Sequence, residues 1–319
     1  MFDFLSSLFF REFLRAEEFE PSKHKRGFVY SHYYAGLPET TIIPVRKYSE
    51  LYRKIKEHPI LKKLPIFEVK GEVSRQDLLR VHTPEYLQDL YELNLTPEIE
   101  RSEIIVTHDI LEYFLYGTMG TIQAMEMAFA SGGVFMNLSG GYHHAFRDHA
   151  EGFCLINDVA VGIEKLLDRY KASVLIIDLD VHQGNGVVHY FQDRKDVFVF
   201  NLHQSDNYPI KEKGHLDIGL PSGTEGAEYL KALEEALLQI RQRFHPDFLV
   251  YIAGVDPYEK DLLGGFMLTK EDLRQREILV KQSLEYWNIP CTIVLAGGYT
   301  PKLDELVSLH LQTAEVFML

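Results

Sequence analysis

The chain has 319 residues, 46% of them apolar and 25% charged, enough for one large buried core. Its formal net charge of −14 excludes a general nucleic-acid binder, which needs a basic face, and is compatible with a cationic substrate drawn toward a cleft. Its two cysteines, Cys154 and Cys291, show no C-x-x-C spacing, so a disulfide framework is not expected and a reducing, cytoplasmic setting fits.

The first stretch, "MFDFLSSLFFREFLRAEEFE", is apolar and aromatic-rich. It lacks a basic n-region and a small-residue cleavage site, and Asp3, Arg11 and Glu12 interrupt it. We read it as an amphipathic helix that packs on the domain or on a partner. We read residues 1–27 as an N-terminal extension and residues 28–319 as one domain. Residues 108–130 read as a helix, 133–139 ("GVFMNLS") as a strand, and 157–170 as a second helix. Strands follow at 173–180 ("SVLIIDLD") and 196–203 ("DVFVFNLH"). A helix over 224–243, a strand at 247–254 ("DFLVYIAG"), a helix over 269–287 and a strand at 291–298 ("CTIVLAGG") complete the pattern. Strand alternating with helix predicts an α/β fold: a single domain with a central parallel sheet and helices on both faces. No run of 18 apolar residues exists, so no membrane span is expected.

Polar and glycine-rich residues follow each apolar run: "SGGYHHAF", "DLDVHQGNG", "NLHQSD", "AGVDPY" and "AGGY". In open α/β sheets ligands bind beyond the carboxyl ends of the strands. Five segments therefore deliver chemistry to one edge.

In "IDLDVHQGNG", Asp178, Asp180 and His182 recur at every second position, which on a strand places them on one face. Carboxylates gathered there call for a compensating cation. One His with carboxylate oxygens suits zinc, and an oxygen-richer set suits manganese. Asp256 in "AGVDPY" offers a further ligand, and Asp180, His182 and Asp256 together leave coordination positions open, as in a catalytic site. Alone, Asp256 reads as a helix N-cap. Adjacent His143 and His144 after Gly140 and Gly141 suit proton transfer better than chelation. Tyr299 after two glycines can donate to an oxyanion.

These stretches, with "VYSHYY", "LLRVHTPEYL", "EGFCLINDVAVGI" and "DPYEKDLLGG", resemble the zinc-dependent histone deacetylases in order and wording over roughly residues 28–310. "DLDVHQGNG" is most similar to class IV deacetylases and their bacterial homologues. The resemblance implies the arginase–deacetylase fold, a zinc ion on Asp180, His182 and Asp256, and removal of an acyl group from a lysine side chain. It implies His144 as general base and then acid, His143 as an electrostatic partner held by Asp178, and Tyr299 as donor to the scissile carbonyl. Gly152, Phe153 and Tyr208 would line the acyl-lysine tunnel and Leu263 its mouth. A structural potassium ion near Asp178, Asp180, His182 and Leu202 is a further implication.

Three rivals stay open at this point. A binuclear manganese ureohydrolase would need extra Asp ligands, but Gly184 stands two residues after His182 and Pro257-Tyr258 follow Asp256. Acylated polyamines or other small amides are alternative substrates for the same chemistry. A non-catalytic binding protein would carry a degenerate site. Oligomeric state and the role of residues 1–27 are not legible. Gly184 and Gly186 are expected to give a tight turn beneath the site. Asn185, where many family members have Asp, is expected to bond His144 without adding charge and so lower its pKa.

Overall fold

The computed structural model describes residues 19–35 and 43–319, so most of the expected N-terminal helix lies outside the described residues. Among the described residues, eight strands form one sheet: β1 (Arg26–Tyr30), β2 (Ile66–Glu68), β3 (Val134–Asn137), β4 (Val174–Asp178), β5 (Val197–Gln204), β6 (Leu216–Leu220), β7 (Phe248–Ile252) and β8 (Cys291–Val294). Their order is β2-β1-β3-β8-β7-β4-β5-β6, and every pairing is parallel.

The five strands read from the sequence, β3, β8, β7, β4 and β5, are the five contiguous central ones. Covered on both faces, they carry near-continuous apolar runs; Val174 through Ile177 and Phe248 through Ile252 are fully buried. The strands not anticipated lie toward the two edges. β2 has three residues, and β6, "LDIGL", is only half-buried and interrupted by Asp217 and Gly219. β1 starts at Arg26, inside the span assigned to the extension, and Phe19 packs edge-on against Phe67 and Phe135. The domain's packing thus begins before residue 28.

The four expected helices appear as His108–Ser131, Asp158–Arg169, Gly226–Arg243 and Lys270–Trp287. Thr107 caps the first through Ile110 N–H, and Gly132 ends it in the left-handed region at φ 67°. Helix His108–Ser131 packs on Asp158–Arg169, while Arg46–Glu57, Leu303–Met318, Lys270–Trp287 and Gly226–Arg243 pack in series as the other layer. Among the described residues no helix is long and apolar enough to cross a membrane.

One buried ion pair ties a helix to the strand ends. Arg276 and Glu277, on helix Lys270–Trp287, are inaccessible to solvent and joined at 2.6 Å. Arg276 Nη1 also donates to the carbonyls of Leu179 (3.2 Å) and Gly254 (2.7 Å), just before Asp180 and Asp256. Glu277 accepts from Thr313 at 3.1 Å. Arg276→Leu leaves Glu277 as an uncompensated buried charge and is expected to lower the unfolding free energy by about 3–5 kcal/mol. Urea unfolding measures this, and Arg276→Leu/Glu277→Leu should recover most of the loss.

Candidate active site

β4 ends at Asp178, so Asp180 and His182 lie in the loop beyond it rather than on a strand. Alternation nevertheless persists. Asp180 N–H donates to Asp178 Oδ1 (3.1 Å), and His182 N–H donates to Asp180 Oδ1 (3.0 Å). Leu179 N–H bonds Ile252 O, and Val181 O accepts from Gln204 N–H, which turns Leu179 and Val181 into the core. The three polar side chains are left on the opposite side.

Asp256 arrives from the loop after β7. Its Oδ1 accepts from Val181 N–H at 2.9 Å, while its Oδ2 is buried without a partner. His182 Nδ1 stands 3.1 Å from Asp180 Oδ1 and 3.3 Å from Asp256 Oδ2. Ligand atoms of Asp180, His182 and Asp256 all lie within 4.8 Å of one another. The loop after β8 closes the cluster, with Gly297 N–H donating to Asp180 Oδ2 at 2.9 Å. A Cβ at Gly297 would stand 2.1 Å from Asp256 Oδ2 and 2.5 Å from Asp180 Oδ2, so only glycine lets that backbone approach.

The electrostatics ask for positive charge at this point. Burial and the Asp180 charge push the Asp256 carboxyl above its ordinary range. Burial disfavours a charged His182, but Asp180 and Asp256 outweigh it and hold its pKa up to about 10. An orphaned carboxylate oxygen, a second buried carboxylate and an imidazole nitrogen facing both form a donor set that fits a divalent cation.

The tandem histidines sit beside this cluster and are held differently. His143 Nδ1 bonds Asp178 Oδ2 at 2.7 Å. Burial disfavours the His143 imidazolium, but Asp178 and Asp180 outweigh it and raise its pKa to about 9. His144 Nδ1 bonds Asn185 Oδ1 at 2.7 Å, and burial together with the His143 and His182 charges drives its pKa well below the usual value. The expected amide clamp is therefore in place. Gly184 and Gly186 are not turn residues, in contrast to the sequence expectation. Gly184 has φ −71°, and neither glycine is in the left-handed region. They provide room instead: a Cβ at Gly184 would stand 2.3 Å from Asp178 Oδ2, and one at Gly186 2.4 Å from Ala145 O.

A cavity of 220 Å³ leads to this edge, lined by Gly152, Phe153, Tyr208, Leu263, Glu103, Asn207, His144, His182 and Tyr299. Tyr208 meets His144 and His182 edge-on at 5.3 and 6.1 Å, and Phe153 faces Tyr299 at 6.1 Å. Burial and the Asp180 and Asp256 charges raise the Tyr299 pKa well above 10, which keeps the phenol protonated. Asp178, Asp180, His182, Asn185, Asp256, His143, His144, Tyr299, Gly152, Phe153, Tyr208 and Leu263 thus gather at one edge, while Leu202 is a buried core residue of β5.

Sequence reasoning missed four supporting groups. Asp158 accepts from Gly141 N–H (2.9 Å), Tyr142 N–H (2.7 Å) and Thr121 (2.6 Å), and so fixes the turn that carries the histidines. Its position in "IND", ahead of a helical pattern, reads only as a capping signal. Asp261 accepts from the backbone N–H groups of Tyr299 and Leu263 at 2.6 and 2.9 Å. Lys47 is buried on helix Arg46–Glu57 and donates to Ala296 O at 2.8 Å; burial lowers its pKa to about 8 against the pull of Asp256, Asp180 and Asp261. In sequence it is one cation in a charged amphipathic run. Glu151 bonds both Asn185 and Tyr208.

Residues 42–314 match the model of the histone deacetylase domain. An uncharacterised protein of Picosynechococcus is 33% identical over 87% of this chain and 93% of its own length. Histone deacetylase 2 of Arabidopsis thaliana is 31% identical over 72% of this chain and 62% of its own length. AcuC of Bacillus subtilis, an acetoin utilization protein, is 32% identical over 61% of this chain and 57% of its own length. The crystal structure of a histone deacetylase homologue from Aquifex aeolicus superposes with a TM-score of 0.77 at 27% identity, covering 92% of this chain and 84% of that one. The matched domain, the parallel sheet and the motifs gathered at its carboxyl edge agree: the chain belongs to the histone deacetylase family.

Proposed function

We propose that this protein is a zinc-dependent amidohydrolase that removes an acetyl or longer acyl group from the side-chain amine of lysine in a protein or peptide. The observation that carries the reading is a cavity lined by Phe153, Tyr208, His144, His182 and Tyr299, in which His182 belongs to the buried Asp180–His182–Asp256 cluster. Its shape suits an unbranched alkyl stem with an amide at its tip.

Asp180, His182 and Asp256 would hold the cation. When bound, zinc supplies a Lewis acid that polarises the amide carbonyl and makes water more acidic. His144 takes the proton of the attacking water. Its Nδ1–H is committed to Asn185, which leaves the Nε2 lone pair free, and burial keeps the ring neutral before attack. Hydroxide adds to the carbonyl carbon while Tyr299 donates to the developing oxyanion. His143, held by Asp178, places a positive charge next to the ring that is gaining a proton, which makes that proton easier to release. His144 then returns it to the nitrogen as the C–N bond breaks, giving a carboxylic acid and an amine, and the acid's remaining proton passes on to the amine to leave a carboxylate and an ammonium. Phe153 and Tyr208 exclude water along the stem. Lys47 lines the inner pocket beside Tyr299 and offers its ammonium to the carboxylate product. The resemblance adds a potassium ion beside Asp178, Asp180, His182 and Leu202 to the same proposal. The buried, unpaired Cys154 and Cys291 support a reducing, cytoplasmic setting.

An acylated polyamine or other small amide is the second reading. It is favoured by the acidic Glu103 that lines the cavity and by Glu151, bonded to Tyr208 of its wall; the AcuC relative, named for acetoin utilization, keeps a small-molecule substrate open. A panel of acyl-lysine peptides of increasing chain length and acetylpolyamines, run on zinc-loaded protein, separates the two by kcat/KM.

His144→Ala and Tyr299→Phe should each lower kcat by about 10²-fold or more while zinc content is unchanged. Near-normal turnover in either variant refutes the role given to that residue. Chelation should abolish turnover, and one zinc per chain should restore it; a requirement for two manganese ions would favour the ureohydrolase reading. Gly297→Ala presses a methyl against both ligand carboxylates and should weaken zinc affinity by about 10–100-fold in chelator competition.

A further inference from the structure

Glu151 opens the "EGFC" turn, and its backbone is fixed there. Its N–H donates to Cys154 O (3.1 Å) and its carbonyl accepts from Cys154 N–H (2.9 Å). The next two residues, Gly152 and Phe153, are held at φ 51° and 63°, and Phe153 N–H bonds Ser102 O. A Cβ at Gly152 would stand 2.6 Å from His144 Cδ2 and 2.7 Å from the Tyr208 hydroxyl. The turn therefore delivers the Glu151 side chain between the base and the tunnel wall.

Its contacts there have a fixed sense. Glu151 Oε1 accepts from Asn185 Nδ2 at 2.7 Å and from the Tyr208 hydroxyl at 3.1 Å, and Oε2 faces His149 Nε2 at 3.6 Å. Burial opposes the Glu151 charge, and hydrogen bonds from His149, Asn185 and Tyr208 more than offset it. An ionised carboxylate only accepts. An asparagine amide is ambiguous by itself: it can turn either its oxygen or its NH₂ toward a neighbouring imidazole. With its NH₂ committed to Glu151, Asn185 can present only oxygen to His144, so His144 must carry its proton on Nδ1.

We propose that Glu151 is a positioning residue for the general base: through Asn185 it dictates the His144 tautomer, and with the same oxygen it holds Tyr208 in the tunnel wall. This rests on the reading of His144 as the base. It also accounts for the neutral Asn185. The negative charge that an aspartate would bring beside the imidazole is present, but one hydrogen bond further out, where it orients His144 with less effect on its basicity.

The test is an exchange of donor and acceptor, with all proteins zinc-loaded and checked for equal zinc content and melting temperature. Glu151→Gln frees the Asn185 amide to turn over, and Asn185→Asp sets two carboxylates in contact. Each should lower kcat/KM by at least about 10-fold. In Glu151→Gln/Asn185→Asp the glutamine NH₂ donates to the new carboxylate, which accepts from His144 Nδ1–H. The double variant should therefore exceed the slower single variant by at least about 10-fold. Imidazole ¹⁵N spectra, with His144 assigned by its absence in His144→Ala, should show the Nδ1–H form in the wild type and the double variant and its loss in Glu151→Gln. Additive losses in the double variant, singles within twofold of wild type, or an unchanged His144 tautomer in Glu151→Gln each overturn the proposal. An active His144→Ala would instead overturn the reading of His144 as base, so the two failures are distinguishable.

Discussion

The constraint on which the rest depends is the burial of Asp180 and Asp256 within reach of one imidazole nitrogen. Two carboxylates cannot share a dry pocket without a positive charge between them. Neighbouring elements are arranged around that demand. Arg276 holds the carbonyls just ahead of both aspartates. Gly297 brings an N–H to Asp180 where any side chain would collide. Val181 N–H takes one oxygen of Asp256 and leaves the other pointing at His182. The Asp180, His182 and Asp256 cluster is built by the loops after β4, β7 and β8, so it exists only once the sheet is assembled.

The sequence carried the centre of this molecule better than its periphery, for a physical reason. A strand covered on both faces must be apolar throughout, and that requirement marks β3, β4, β5, β7 and β8 plainly. β6 and β2 face solvent or end after a turn, so nothing forces a pattern on them. The same contrast holds at the site. Asp178, Asp180 and His182 stand out because charge directly after a core strand is anomalous, whereas Lys47, Glu151, Asp158 and Asp261 lie in segments where a polar residue is ordinary. Their meaning comes largely from contacts distant in sequence, such as Asp158 with Gly141, 17 positions apart, and Glu151 with Asn185, 34 positions apart. Gly184 and Gly186 were legible as special but not in kind. A glycine needed for a turn and one needed for clearance look alike in one dimension, and only the nearness of Asp178 and Ala145 tells them apart.

Adjacent His143 and His144 show how little is needed to give two identical side chains opposite roles. Both are buried, which favours the neutral ring in each. What separates them is the acceptor on Nδ1. Asp178 is a carboxylate at 2.7 Å and keeps His143 charged; Asn185 is an amide at the same distance and leaves His144 neutral. Once His143 is a cation, its charge depresses the neighbouring ring further, so the two assignments reinforce each other. A carboxylate on both rings would raise the His144 pKa and make the two rings alike. An amide on both would leave His143 without the carboxylate that keeps it charged. The unequal pair, one carboxylate partner and one amide partner, thus sets a charged ring beside a neutral one.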